Sequence, residues 1–187
     1  AAHNEKEETP RVESAALKTI RAALAKNPED LDTQQQLAAA LVDELRANEN
    51  PPQELVFEAI ETLSTILKKT PDDTEALIAI ADITFNQQVF SKSADYYGRY
   101  LKAKPEDFNV RARYGSSLAF SGKFDDALRE LNMVLEKDPK NFNAAAYLAI
   151  TYAQMGDSTK AIKAGEKALP LAPNDDARAR FAQFIDE

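Results

Sequence analysis

Large apolar and small side chains recur along this chain in fixed columns. Leu24, Leu67, Leu101, Leu135 and Leu169 each stand four residues before a proline: Pro28, Pro71, Pro105, Pro139 and Pro173. Before those leucines come Ala23, Ile66, Tyr100, Val134 and Ala168. Eight residues upstream of them come the small residues Ala16, Ala59, Ser93, Ala127 and Ala161. After the prolines a large–small pair repeats: Leu37-Ala38, Ile80-Ala81, Tyr114-Gly115 and Leu148-Ala149. The last three proline intervals are 34 residues each, and the first is 43, an insertion of nine. A fixed period of this length marks an array of small structural units, none of which buries its apolar face alone.

Within a period, the apolar positions follow the i, i+3, i+4, i+7 spacing of two amphipathic helices. The small columns let the two helices approach closely. The proline ends the second helix, because it lacks an N–H and clashes with the preceding turn. Ser121-Gly122-Lys123 and Gly156-Asp157 mark the turn inside a unit, where glycine accepts the left-handed conformation that closes a helix. The same place one unit earlier holds Gln88, which predicts a strained or differently built turn.

These columns resemble the tetratricopeptide repeat family. The best unit, 108–141, carries Tyr114-Gly115, Gly122, Phe124, Ala127, Leu131 and Pro139 in the family's places. The next, 142–175, carries Leu148-Ala149, Tyr152, Gly156, Ala161, Ala168 and Pro173. The unit 74–107 departs more, with Thr84 for an aromatic, Gln88 for glycine and Ser93 for alanine. The unit 31–73 holds the insertion: its first helix runs on through Leu45, and Asn48 to Pro52 form a loop. A lone helix over 10–26 precedes the units. An amphipathic helix over 176–187, with Ala177, Phe181, Phe184 and Ile185, closes them, and residues 1–9 form a polar tail. The resemblance implies an all-α fold, a right-handed solenoid of antiparallel helix pairs with about ten helices, in a single domain over 10–187.

Composition narrows the chemistry. With 23 basic and 31 acidic side chains, net −8, the chain lacks the cationic track of a nucleic-acid binder. It has no cysteine and one histidine, His3 in the tail, so thiolate and imidazole chemistry have no material. The five glycines form no phosphate-cradling cluster. No apolar run approaches the ~18–20 residues of a membrane span, so any membrane contact is expected only through a segment outside this chain. The chain does not begin with methionine, and no targeting segment is visible. The pairs Asp72-Asp73, Asp125-Asp126 and Asp175-Asp176 lie at predicted helix starts, where carboxylates meet unpaired N–H groups and the positive end of the helix dipole. Neither an enzyme nor a cofactor or metal site is expected. Gly165 stands in a column otherwise filled by Ile20, Leu63, Tyr97 and Leu131; two readings fit, room for Phe181 or Phe184 of the closing helix and plain tolerance near the end of the array.

The family resemblance implies that first helices line a concave face. Helix geometry then selects the residues off each buried stripe. In the first unit they are polar and acidic, with Asp32, Gln35, Gln36, Ala39, Val42 and Asp43. The later units offer Ile78, Phe85, Phe120, Tyr147 and Ile150, separated by the small residues Ala79, Ala112, Ser116, Ala119 and Ala146. Asn86, Asn109, Asn143 and Gln154 are suited to a peptide backbone, and Arg113 to a carboxylate. For Phe85 and Phe120, ordinary packing against a neighbouring helix is the competing reading. The set that some family members use to hold a terminal carboxylate does not map: the matching places hold Gln35, Ala39, Ala79, Asn109 and Arg113, and only the last two suit it.

The expected function is a non-catalytic scaffold that binds a peptide or amphipathic helix of a partner protein. The alternative within the fold is a self-assembling scaffold, a homo-oligomer. The alanine-rich units and atypical ends are also loosely similar to bacterial periplasmic or membrane-anchored repeat domains of cytochrome c maturation, which hold apocytochrome tails. That likeness implies a periplasmic setting, while the residues themselves are equally compatible with cytoplasm.

Overall fold

The computed structural model describes residues 14–186 and forms them into ten α-helices and one 3-10 turn, with no strand among the described residues. Where the sequence predicts one domain over 10–187, contacts divide the chain into two compact units between Ile66 and Leu67. The first unit holds α1 (Ala15–Lys26), α2 (Leu31–Arg46) and most of α3 (Gln53–Lys69). The second holds three helix pairs, α4 (Thr74–Asn86) with α5 (Phe90–Ala103), α6 (Phe108–Phe120) with α7 (Phe124–Lys137), and α8 (Phe142–Gln154) with α9 (Ser158–Ala168), followed by α10 (Asp175–Asp186).

The lone leading helix starts at Ala15, capped by Ser14, rather than at residue 10. The rest of its expected span, like the polar tail, lies outside the described residues. In the first unit α1 packs on α2, and Arg21 reaches across to Glu58 of α3 with a bond from Nε of 2.8 Å. The insertion does what its position suggests: α2 continues to Arg46 and α3 begins at Gln53.

Each first helix begins in the same way. Asp30, Asp73, Asp107 and Asn141 stand two residues after a repeat proline, and each accepts a 3.0 Å bond from the backbone N–H three residues on. Such a cap stabilises a helix by about 1 kcal/mol. Asp125-Asp126 and Asp175-Asp176 occupy the first turns of α7 and α10.

The turns within the pairs are also copies of one another. Val89, Lys123 and Asp157 donate their N–H groups to the carbonyls of Thr84, Leu118 and Tyr152, at 2.8, 2.9 and 2.9 Å. The residue before each donor has positive φ: 59° at Gln88 and 78° at both Gly122 and Gly156. This is the Schellman closure of a helix. Gln88 therefore builds the same turn as the glycines, with the strain that a Cβ brings there.

Inside each pair the small columns are contact points. Ala81, Ala127 and Ala149 are wholly buried, and a Cβ added to Gly115 would lie 2.7 Å from Leu131 Cγ. Ala161, expected at such a contact, is only half-buried. The last pair departs in two further ways. Its second helix ends at Ala168 and passes into the 3-10 turn Leu169–Leu171, because Pro170 interrupts it before Pro173 is reached. Gly165 is filled by Ile185, not by Phe181 or Phe184: a Cβ there would lie 2.7 Å from Ile185 Cδ1. Ile185 thus supplies, from α10, the side chain that Leu131 supplies to its own pair. Phe181 lies deeper, 7% exposed, edge-on to Phe142 at 5.8 Å.

Candidate peptide-binding face

The predicted site residues all lie on α4, α6 and α8, in the second unit. Asn86, Asn109, Asn143 and Gln154 are exposed, and Ile78, Phe85, Tyr147 and Ile150 are half-buried. The small residues between them are not a floor open to a ligand. Ala79, Ala112, Ser116, Ala119 and Ala146 are all at most 8% exposed. They are the spacers that let neighbouring helices come together. In the first unit Asp32, Gln35, Gln36, Ala39 and Asp43 are exposed, whereas Val42 is buried.

The two phenylalanines divide between the competing readings. Phe85 packs edge-on against Phe90 at 5.5 Å and Tyr97 at 6.4 Å, as a core-edge residue does. Phe120 stacks on Phe90 at 4.6 Å yet remains 39% exposed. Phe90, the first residue of α5, is absent from the expected site residues. It links both rings into one aromatic run from Tyr97 in the core to Phe120 at the surface.

Arg113 already has a carboxylate. Its Nη1 lies 2.7 Å from Asp82 Oδ1 of α4, and the Tyr97 hydroxyl donates to that same oxygen at 2.6 Å. Burial pushes the Tyr97 phenol far above its ordinary range, and the Asp82 charge beside it adds to the shift. At Arg113 burial opposes the charge, but the bond and attraction of Asp82 outweigh it and raise the guanidinium. Arg113 therefore serves first to tie α6 to α4. Asn109 is likewise engaged, accepting from Asn141 Nδ2 at 3.2 Å. Burial also raises the Tyr147 phenol, against the opposing effects of Arg113 and Ser116 beside it.

Most of the charge on this face is paired within the chain. The helices α4, α6 and α8 carry four charged side chains: Glu75, Asp82, Arg111 and Arg113. Arg113 pairs with Asp82, and Arg111 pairs with Glu130 of α7 at 2.5 Å, both partners 13% exposed. Helix α8 carries no charge. The exposed surface left is apolar rings, side-chain amides and the single carboxylate of Glu75 at the start of α4, in a chain whose remaining surface is strongly charged.

Comparison with known proteins agrees with this architecture. Residues 114–176 match the model of the tetratricopeptide repeat. The matched span takes in most of α6 and all of α7, α8 and α9, and is similar to tetratricopeptide repeats. The chain is 33% identical over 101 residues to the protein CTR9 homolog of Arabidopsis thaliana, a match that covers 54% of this chain and 9% of that protein. Thus the chain spans less than a tenth of the length of that relative. Among solved structures, two of MamA superpose with TM-scores of 0.70 and 0.69 at 21% and 24% identity. They cover 88% and 83% of this chain and 87% and 86% of their own. TTC0263, a thermophilic tetratricopeptide repeat protein of Thermus thermophilus, superposes at 0.61 with 21% identity, covering 91% of this chain and 89% of its own. At these identities the likeness to the solved structures is one of fold. The likeness to cytochrome c maturation domains rests on the sequence reading alone.

Proposed function

We propose that this chain is a non-catalytic protein-interaction scaffold whose repeat face of α4, α6 and α8 holds an uncharged, apolar segment of a partner protein. The observation that carries this reading is the pairing of three of the four charges on that face. With Asp82–Arg113 and Arg111–Glu130 closed as internal pairs, Phe120, Tyr147, Ile150 and the amides of Asn86, Asn143 and Gln154 remain for a ligand. Apolar side chains of a peptide helix or extended strand suit the rings, and the amides both donate to and accept from a peptide backbone. Arg113 acts as a structural tie rather than as a carboxylate anchor, which departs from the role its residue type first suggests.

The test is affinity capture of a partner with the whole chain, followed by calorimetry with the bound segment as a synthetic peptide. Binding on this face predicts loss of affinity in Phe120→Ala and Tyr147→Ala, with little change between low and moderate salt. Binding that collapses with added salt, or that survives both substitutions, rules this face out. An apocytochrome C-terminal segment is a natural first peptide to try, given the sequence likeness to cytochrome c maturation domains.

A further inference from the structure

A second surface has the opposite character. Between α7 and α9, over a floor from α8, lies a groove of about 500 Å³. Leu135, Leu148 and Leu171 give it an apolar interior, and Lys160, Lys163 and Lys167 line one wall. No carboxylate lines it, in a chain that carries 31 acidic against 23 basic side chains. Lys160 is held by Asp157 at 2.8 Å, while Lys163 and Lys167 are exposed, with no ion-pair partner among the described residues. The three lysines stand at i, i+3 and i+7 on α9, a row spanning about 10 Å at the helical rise of ~1.5 Å per residue.

A row of three cations beside an apolar trough calls for a ligand with several carboxylates in line and a large apolar side chain between them. A single-headed anion would use one or two of the lysines at most. Helix α3 of this same chain presents that pattern. Glu54, Phe57 and Glu61 are all exposed and stand at i, i+3 and i+7, the same spacing as the lysines. Phe57 is 66% exposed, the most exposed large apolar side chain among the described residues. Burying such a ring against leucines is favourable, and an isolated exposed phenylalanine flanked by like charges is the form of a binding anchor.

We propose that two copies of this chain associate head to tail, Phe57 of one copy entering the α7–α9 groove of the next, with Glu54 and Glu61 facing its row of lysines on α9. The two surfaces are different patches, so the contact is heterologous and propagates into a ring or a filament.

The experiment is sedimentation and light scattering of the whole chain over a wide concentration range at low and high salt. The wild-type chain associates with rising concentration, and more weakly as salt screens the pairs. Phe57→Ala lowers the association constant roughly tenfold or more. Glu54→Lys with Glu61→Lys in one variant, and Lys163→Glu with Lys167→Glu in another, each abolish association alone. Mixed in equal amounts these two variants associate again, because each then offers the other a complementary charge. All the substituted positions are exposed, and circular dichroism verifies that the variants keep their helices. A wild-type chain that stays monomeric at every concentration overturns the proposal, as does a mixture that fails to re-associate.

Discussion

Gln88 is the one described residue other than glycine with positive φ, and replacing it provides a quantitative test of the repeat register. Its φ of 59° lies beside the 78° of Gly122 and Gly156, and all three turns close with the same pair of backbone bonds. A residue with a Cβ loses roughly 1–2 kcal/mol in that conformation. Gln88→Gly removes the strain but gives the unfolded chain more freedom, which returns about 0.5–1 kcal/mol. The Gln88 side chain is exposed, so little packing is lost. The expected net gain is about 0.5–1 kcal/mol. For a chain of this size that raises the melting temperature by roughly 1–4 °C. Urea unfolding followed by circular dichroism measures it as a shift of midpoint at unchanged slope. Gly122→Gln and Gly156→Gln are the reverse experiment and should lose a similar amount. If Gln88→Gly destabilises the protein while Gly122→Gln is neutral, the three turns are not equivalent and their shared column has no common structural cause.

Further outcomes follow from the packing and the site. Ala127→Leu overfills a wholly buried contact and should cost about 1–3 kcal/mol in the same unfolding assay. Gly165→Leu should displace Ile185, and hydrogen exchange would then show α10 losing protection before the three helix pairs do. Tyr97 holds its proton more tightly folded than unfolded, so the unfolded state binds fewer protons above pH ~10. Stability is therefore unaffected by this group below that pH and falls above it, by at most ~1.4 kcal/mol per pH unit, and Tyr97→Phe should flatten the slope. Phe120→Ala and Tyr147→Ala should each weaken a bound partner peptide roughly tenfold in calorimetry, whereas Lys137→Ala should leave it unchanged.

The parts of the fold legible in the sequence were those set by one residue type at one repeated place. Proline two residues before a capping Asp or Asn starts each first helix, and glycine at a helix end closes its turn; both act locally. The longer first unit was legible because nine extra residues displace one interval. What was not legible depends on two side chains meeting across the array. Asp82 and Arg113 are 31 residues apart and sit on different columns, so no comparison of columns pairs them. The choice of Ile185 over Phe181 or Phe184 for the space at Gly165 depends on the angle at which α10 crosses α9. The small residues of the proposed groove were placed by helical period alone, which ranks them as outward-facing. Packing between successive first helices buries them instead, and only the larger side chains reach solvent.

The pairing of Gly165 with Ile185 bears on how such a chain can change length. Repeats with a 34-residue period grow and shrink by duplication or loss of whole units, and each copy must fit the one before it. A duplicate of α8 and α9 would carry its glycine into the interior of the array, where the corresponding places are filled by Tyr97 and Leu131. Without α10 behind it, that glycine would leave a void the size of a branched aliphatic side chain. The unit of α8 and α9 is thus fitted to α10 and not to a further copy of itself. The unit from Phe108 to Asn141 is bound to its predecessor instead: Arg113 reaches Asp82, and a copy placed after it would meet Ser116 in that column. Neither unit can be copied in place without a compensating change where it meets its neighbour.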